Sequence, residues 1–554
     1  MHYPPPLWAG FTVWVALDSL PFAVVASGFC STGTEAAALS EPRSANRSLL
    51  IGAATNWAAF VAALGISFFL APYLVRSLGD ARYGVWCIAE SVLAYFTLFD
   101  LGIAACLVRF VAKLHATSNR HELSKLVSAC FGLFVLAGVG VMVLGGAIVP
   151  FVAPGMERKL DESGDVLPFM LLMLTNLAIT LPLSVFPTIL DGLQRFGTKS
   201  AGRLVCLTLR VAAIVWVMET RPGLLSLALV FTAANLLEHA LMAVACFRFL
   251  PGLQISPKLI DRITLKEVRG YSIDAFLAMI AGRITGQTGT IVVGGFMTVA
   301  TAGHYAIAMR LVDMAKNLLR AATTTLTPAV SEREAVGDFD GVRRVLLDGT
   351  RWVLYLVLPI HIGLLFFGGP FLARWMGNSQ YAEWCYPAMV VLSATLTIGV
   401  AQSVAARILY GMGKLKLFAR LALVEAVVNL ALSFALVGPF GLVGVAVAVS
   451  APNVLFCLFV IVYSCRTLEV GAWRYLRVGW LKPACAAVVP TAVWSFVAPV
   501  EAEWFAITFG VAVGLVPFVA CVAALEFASR IKFVRSGITR TTPVAQSGPI
   551  TAEA

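Results

Sequence analysis

Between Leu50 and Phe527 the chain reads as about fourteen apolar stretches, each long enough to cross a bilayer and joined to the next by a short loop. About 20 apolar residues cross roughly 30 Å of hydrocarbon as a helix, and a backbone inside lipid must satisfy its own hydrogen bonds. The stretches fall at residues 50–75, 84–108, 126–153, 166–188, 200–218, 224–247, 270–297, 303–328, 350–373, 385–410, 416–437, 441–464, 481–498 and 503–527. With 59% hydrophobic residues, 13% charged residues and a mean hydropathy of +0.86, there is too little polar surface to close a water-soluble globule. The expectation is an all-α polytopic membrane protein of about 14 transmembrane helices.

The basic residues alternate between the loops. With the N-terminal segment placed in the cytoplasm, 30 Lys and Arg fall on that side, and only Arg76, Arg82, Arg158, Lys159, Arg221 and Arg374 fall outside. Cytoplasmic loops collect Lys and Arg, so the asymmetry predicts an even span count with both termini cytoplasmic. It also accounts for the formal net charge of +11, and no nucleic-acid-binding motif accompanies that charge. Eleven Cys are scattered singly, without CxxC or Cys/His ligand spacing, and the six His form no HExxH, so no metal or cofactor is expected. Residues 1–49 stand apart. Leu7–Phe29 is apolar but contains Asp18 and Pro21 and follows no basic stretch, which argues against a signal peptide. A misassigned start or a loose interfacial segment is preferred there to a fifteenth span.

Two sequence pairs recur at nearly one offset. Gly79–Tyr83 aligns with Ala302/Gly303–Tyr305 at roughly 223, and ILDGLQRFGTKSAGRL from Ile189 matches ILYGMGKLKLFARL from Ile408 at 219. Each pair lies between equivalent spans six apart, so the halves share orientation and a path between them follows. The division expected is an N-terminal extension (1–49), a six-helix bundle (50–250), a cytoplasmic linker (251–269), a second six-helix bundle (270–465), two appended helices (466–528) and a cytoplasmic tail (529–554).

Charge inside the spans concentrates in the eighth. Arg310, Asp313, Lys316 and Arg320 lie at about 0, 300, 240 and 280° around the helix, within one third of its circumference. Such residues cost about 2.5–3.5 kcal/mol each at mid-bilayer, so the stripe must face protein or water. It reads as a lining for an anionic passenger, with static pairing to acidic neighbours and snorkelling of Arg320 as the other readings. In the seventh span Arg283, Gln287, Thr290 and Gly294 share a face, and Arg283 and Gln287 join the lining. Glu90, Asp100, Arg210, Glu238, Glu425 and Asn429 are further polar residues within spans. Glu90, Asp313 and Glu425 are candidates for ion coupling, or for static partners of Arg283 or Arg310. Arg109 and Lys113 read as snorkelling at the inner surface, and Pro182 and Pro187 predict a kink in the fourth span.

Leu78-Gly79-Asp80 with Tyr83-Gly84, followed by Phe99-Asp100-Leu101-Gly102-Ile103 and Arg109, resembles the polysaccharide transporter branch of the multidrug/oligosaccharidyl-lipid/polysaccharide (MOP) exporter superfamily. These are the Wzx-type O-antigen and exopolysaccharide flippases, and the likeness covers roughly 50–530. It implies two bundles around a partly cationic lumen in a bacterial plasma membrane. It also implies ion-driven flipping of an undecaprenyl-diphosphate-linked oligosaccharide by alternating access. Membrane lipids would be partners, with polysaccharide polymerase and chain-length machinery as further candidates. Arg283, Arg310, Lys316 and Arg320 would attract the diphosphate, whereas Gly79 and Asp80 would serve the turn between helices.

Two rivals are weighed against it. A drug or metabolite antiporter of the same superfamily carries cations, which the net positive stripe disfavours. A membrane enzyme acting on lipid-linked glycans needs a sizeable extramembrane loop, and the longest outer one expected, Pro154–Val166, carries Glu157, Asp161, Glu162 and Asp165 but no His or DxD-type pair.

Overall fold

The computed structural model describes residues 43–538 apart from 101, 118, 161–164, 261, 324–325, 415 and 498–502. The readings made for residues 1–42, for Asp161 and Glu162 and for the tail beyond 538 lie outside the described residues. From Gly52 onward the chain forms one compact unit.

All described elements are helical. The first group comprises α1 (Arg43–Leu78), α2 (Asp80–Phe96), α3 (Ile103–Ala116), α4 (Arg120–Leu160), α5 (Val166–Leu183), α6 (Val185–Gly192), α7 (Phe196–Thr220) and α8 (Leu224–Phe249). The second comprises α9 (Arg262–Phe296), α10 (Val299–Thr323), α11 (Leu326–Ala335), α12 (Phe339–Met376), α13 (Gln380–Gly411) and α14 (Lys416–Thr467). A short helix α15 (Ala472–Tyr475) and a π-turn lead into α16 (Leu481–Val497), and α17 (Trp504–Ile538) follows. Each of the fourteen expected stretches has a helical counterpart. Ten membrane-length apolar helices occur among the described residues, one of them the long run of α14.

The differences from expectation have local causes. The second stretch is not one helix: a 3-10 turn spans Thr97–Asp100, and Gly102 at φ 76° occupies a left-handed conformation open to glycine. Asp100 accepts from the Ala104 N–H at 3.1 Å, so this residue serves the start of α3. The kink expected in the fourth stretch lies at Ser184, between α5 and α6, where Pro182 interrupts the ladder. The eleventh and twelfth stretches form α14, which turns at Gly441 (φ 55°, ψ −136°). Helix α4 runs on to Leu160, shortening the expected outer loop, and α9 starts at Arg262, shortening the linker. That linker lies along α4, with Ser124 Oγ and Ser128 Oγ accepting from the N–H groups of Gln254 and Ser256 at 3.3 and 3.1 Å.

One repeated segment adopts the same turn twice. Arg195 N donates to Leu190 O at 2.9 Å and Lys414 N to Leu409 O at 2.9 Å, around Gln194 (φ 56°) and Gly413 (φ 66°). The residues correspond at the offset of 219 seen in the sequence.

The cores decide how the two groups meet. One large cluster joins the helix ends next to the Leu78–Asp80 turn, from Leu74, Trp86 and Phe169 of the first group to Val299, Tyr305, Trp375 and Met389 of the second. Toward the opposite, basic ends the cores separate: Leu107, Phe134 and Ile189 anchor one, Leu346, Val404 and Ile461 the other. The groups therefore share one core at the charge-poor end and have separate cores below it. Helices α16 and α17 pack on α12. The Trp494 indole donates to Gly510 O at 2.9 Å, and a Cβ on Gly514 would strike that ring at 2.1 Å. At their basic end Glu526 faces Arg351 at 3.3 Å and Lys482 at 3.5 Å and accepts from the Tyr355 hydroxyl at 3.1 Å.

Candidate substrate-binding site

The seal depends on small residues. Helices α2 and α10 approach so closely at Gly84 that a Cβ there would lie 1.8 Å from Val299 O, and Gly303 stacks on Gly84 Cα. Directly below, toward the basic end, the seam between α2, α9 and α10 becomes polar.

Arg310 occupies the top of this polar seam. Its guanidinium donates to the Tyr83 hydroxyl at 3.3 Å and stands 3.5 Å from Glu90 Oε2, with the two charged side chains 30% and 35% exposed. Both side chains are thus partly accessible within the seam. One turn and more below, Lys316 Nζ lies 4.0 Å from Asp313 Oδ1. Arg320 is exposed at the mouth. The expected stripe on α10 is thus present, with Asp313 balancing one of its three cations and Glu90 reaching another across the seam.

On α9 the expected face divides. Arg283 and Gln287 are half-buried, and Arg283 makes no ion pair among the described residues. Thr290 is buried, and Gly294 is packed against Ile88 and Ala302, so these two belong to the seal rather than to the lining. Tyr95 of α2 bridges to Thr288 Oγ1 at 2.7 Å.

The carboxylates also separate by environment. Glu90 is the facing charge of Arg310. Glu425 is buried in α14, where it accepts from Thr285 Oγ1 at 2.9 Å and Asn453 Nδ2 at 3.3 Å and forms no ion pair among the described residues. It is therefore not the static partner of Arg283 or Arg310. Asn429, one turn away, is fully buried and its Nδ2 lacks a hydrogen-bond acceptor among the described residues. At the corresponding position of the first group, 219 residues earlier, stands Arg210, held by Asn235 Oδ1 at 2.6 Å and Glu238 Oε2 at 3.2 Å. That pair is a fixed brace between α7 and α8. Arg109 and Lys113 are exposed at the basic end of α3.

Beside the seam, α12, α16 and α17 enclose an apolar groove of about 460 Å³, lined among others by Tyr355, Pro359, Phe367, Trp494 and Phe518. Leu311 of α10 also lines it, next in sequence to Arg310. A cationic seam and an apolar groove thus share one helix as their wall.

The roles of several residues escaped the sequence reading. Tyr83 entered it only through the repeat and the turn motif, and Tyr95 gave no periodic signal distinct from core aromatics. Lys159, one of only six basic residues on its side, donates from Nζ to the carbonyls of Gly294, Gly295 and Met297 at 2.8, 2.9 and 3.0 Å, capping the C-terminus of α9 from the first group.

The profile of a family described as lipid II flippase MurJ matches residues 102–514. The EpsK membrane protein of Bacillus subtilis is 21% identical over 449 residues, covering 79% of this chain and 87% of its own. A Shigella flexneri protein named as a candidate O-antigen transporter is 22% identical over 392 residues, covering 70% and 90%. A Haloferax volcanii protein, Agl15, named for a flippase role in low-salt glycan biosynthesis, is 22% identical over 427 residues, covering 75% and 82%. Among solved structures, an inward closed form of lipid II flippase MurJ superposes with a TM-score of 0.64 at 14% identity, covering 84% of this chain and 99% of its own. An inward-facing MATE family multidrug transporter gives 0.59 at 12% identity, covering 73% and 94%.

Proposed function

The chain belongs to the lipid II flippase MurJ family, and with it to the MOP superfamily, and on that footing we propose that it flips an undecaprenyl-diphosphate-linked oligosaccharide for surface polysaccharide synthesis. It is a multi-pass membrane transporter. The relatives named for O-antigen transport and glycan biosynthesis favour a surface-glycan unit as the cargo. The basic ends of the helices face the cytoplasm of a bacterial cell, with both termini on that side.

One observation supports the reading: α10 carries Arg310, Lys316 and Arg320 and, through Leu311, also lines an apolar groove, with Arg283 on the neighbouring α9. A polyprenyl diphosphate needs both. Its two phosphates are attracted by fixed cations where water is scarce, and its isoprene tail is favourable only against apolar surface. A cationic drug would meet a net positive wall, so the antiporter reading is the weaker one.

Movement follows from the two separated cores. The cavity opens toward the basic ends, where the cargo is made, and the shared core at the other end must part to release it. We assign the headgroup to Arg283, Gln287, Arg310, Lys316 and Arg320. Glu425, buried and in no ion pair among the described residues, is the carboxylate best placed to take up and release a coupling cation, with Asp313 and Glu90 engaged by neighbouring cations instead. Polysaccharide polymerase and chain-length proteins would take the product on the far side.

The test is deletion of the gene followed by assay of lipid-linked oligosaccharide in each leaflet, with complementation by Arg283→Gln, Arg310→Gln, Lys316→Gln and Arg320→Gln at matched expression. Retention in the inner leaflet, restored by the wild type and not by the substituted proteins, is the expected result. Normal surface glycan in the deletion strain, or full export by all four variants, overturns it.

A further inference from the structure

Asp80 does more than its place in the turn between α1 and α2 requires. Gly79 holds the cap position of α2, while both carboxylate oxygens of Asp80 point to the second helix group. The Tyr381 hydroxyl donates to Oδ1, and His304 Nε2 stands 3.8 Å from Oδ2. Tyr381 lies in the first turn of α13 and His304 in the first turns of α10, so one carboxylate joins two helices across the seam.

The partners are held in position for this contact. The His304 ring stacks on Trp384 at a centroid distance of 4.5 Å and meets Tyr381 edge-on at 5.5 Å. His304 is buried, and its Nε2 has no hydrogen-bond partner among the described residues. The imidazole of His304, and after it the Tyr381 hydroxyl, keep the Asp80 carboxyl below the ordinary carboxylate range against the opposing effect of burial, so it is ionised at neutral pH.

Other links cross at the same end: Arg76 Nε to Met376 O at 3.2 Å, Trp375 Nε1 to Phe68 O at 3.1 Å, and the Lys159 cap on α9. Each of these engages one helix through backbone carbonyls. Asp80 engages two through side chains: its bond from Tyr381 is charge-assisted, a kind about twice as strong as neutral ones, and the His304 ring edge faces its other oxygen at 3.8 Å.

We propose that Asp80 is the latch of the outer gate: gripped by Tyr381 and His304, it holds the charge-poor ends of the two helix groups together and must be released before the cavity opens there. The inference rests on the alternating-access reading above and names the contact that controls one of its two openings. Asp80 is a positioning residue, acting through the approach of α2 to α10 and α13 rather than on cargo.

The native cysteines supply the measurement. Cys87 is buried on α2 within the shared core, beside Tyr83 and Arg310, whereas Cys130 is buried in the separate core of the first group. A membrane-impermeant maleimide is applied to intact cells expressing the full chain, and alkylation of each cysteine is followed by peptide mass mapping. Asp80→Asn, Tyr381→Phe and His304→Gln are each expected to speed Cys87 alkylation, Asp80→Asn by about tenfold, while Cys130 stays unmodified. Combining Asp80→Asn with His304→Gln adds little, because both break one contact. Cys87 alkylation unchanged from wild type in all three variants overturns the latch, and so does an increase matched at Cys130, which reports loosened packing instead. The labelling needs no cargo. A deletion strain with normal surface glycan would overturn the proposed cargo and leave the latch result standing.

Discussion

Arg310 of α10 faces Glu90 of α2 across the seam between the helix groups, with Nη2 3.5 Å from Oε2. A pair so long, with both side chains about a third exposed, is worth roughly 0–1 kcal/mol. A diphosphate brings more charge and better geometry, so it displaces Glu90 at little cost. The relationship predicts opposite effects of two neutral substitutions. Glu90→Gln frees the guanidinium and tightens binding of a soluble pyrophosphate probe up to about fivefold. Arg310→Gln removes both the pair and the anion site, and export falls at unchanged expression. Isothermal titration of the purified variants checks the first expectation and a leaflet assay the second. Equal pyrophosphate affinity in wild type and Glu90→Gln would mean that the carboxylate does not compete with cargo.

Arg283 predicts a separation of stability from function. Half-buried and in no ion pair among the described residues, it bears part of the cost of holding a guanidinium within a span. Arg283→Gln should leave the melting temperature of the detergent-solubilised protein equal or higher while export drops at least about tenfold, the pattern of a residue kept for binding. A lowered melting temperature with normal export would make Arg283 a structural residue.

Much of the fold was legible because lipid imposes a single rule on long apolar segments, and the duplication was legible because turn residues such as Gln194 and Gly413 must recur where the turn recurs. The charged stripe on α10 followed from helical spacing alone. What spacing does not contain is which helix stands opposite. Glu90 and Glu425 looked alike as single carboxylates inside spans, and only the packing of α2 on α10 and of α9 on α14 gives one a guanidinium and the other Thr285 and Asn453. Asp80 was read as a turn residue for the same reason, since Tyr381 lies 301 residues away. Helical spacing puts Arg283 to Gly294 on one face of α9, and depth divides that face. Its far end enters the seal, and its basic end is half-buried.

Glu425 predicts the coupling. Thr285 and Asn453 supply hydrogen bonds that a neutral amide can partly retain, so Glu425→Gln keeps the pocket filled and removes only the charge. Flipping in proteoliposomes should lose its dependence on the imposed cation or proton gradient, with the downhill rate and expression preserved. The expected change is the collapse of the ratio between energised and non-energised rates to about one, which is the value for zero coupling free energy. A Glu425→Gln protein that still responds fully to the gradient would move the coupling role to another group.

Gly84 tests the seal itself. A Cβ at this position would lie 1.8 Å from Val299 O, a backbone atom that cannot swing aside, so Gly84→Ala forces α2 and α10 apart. Overpacking of this kind costs about 1–3 kcal/mol, and here the cost falls on the conformation closed at the charge-poor end, because only there do the two helices touch so closely. Cys87 should become more reactive toward an impermeant maleimide, and export should slow, since the form that loads cargo from the basic side is less populated. Gly65→Ala is the matched control: nothing lies within 4 Å of its added methyl, and neither readout should move. If Gly84→Ala lowers the melting temperature without exposing Cys87, the contact stabilises the fold but does not govern the opening, and the boundary of the moving seam lies elsewhere than between α2 and α10.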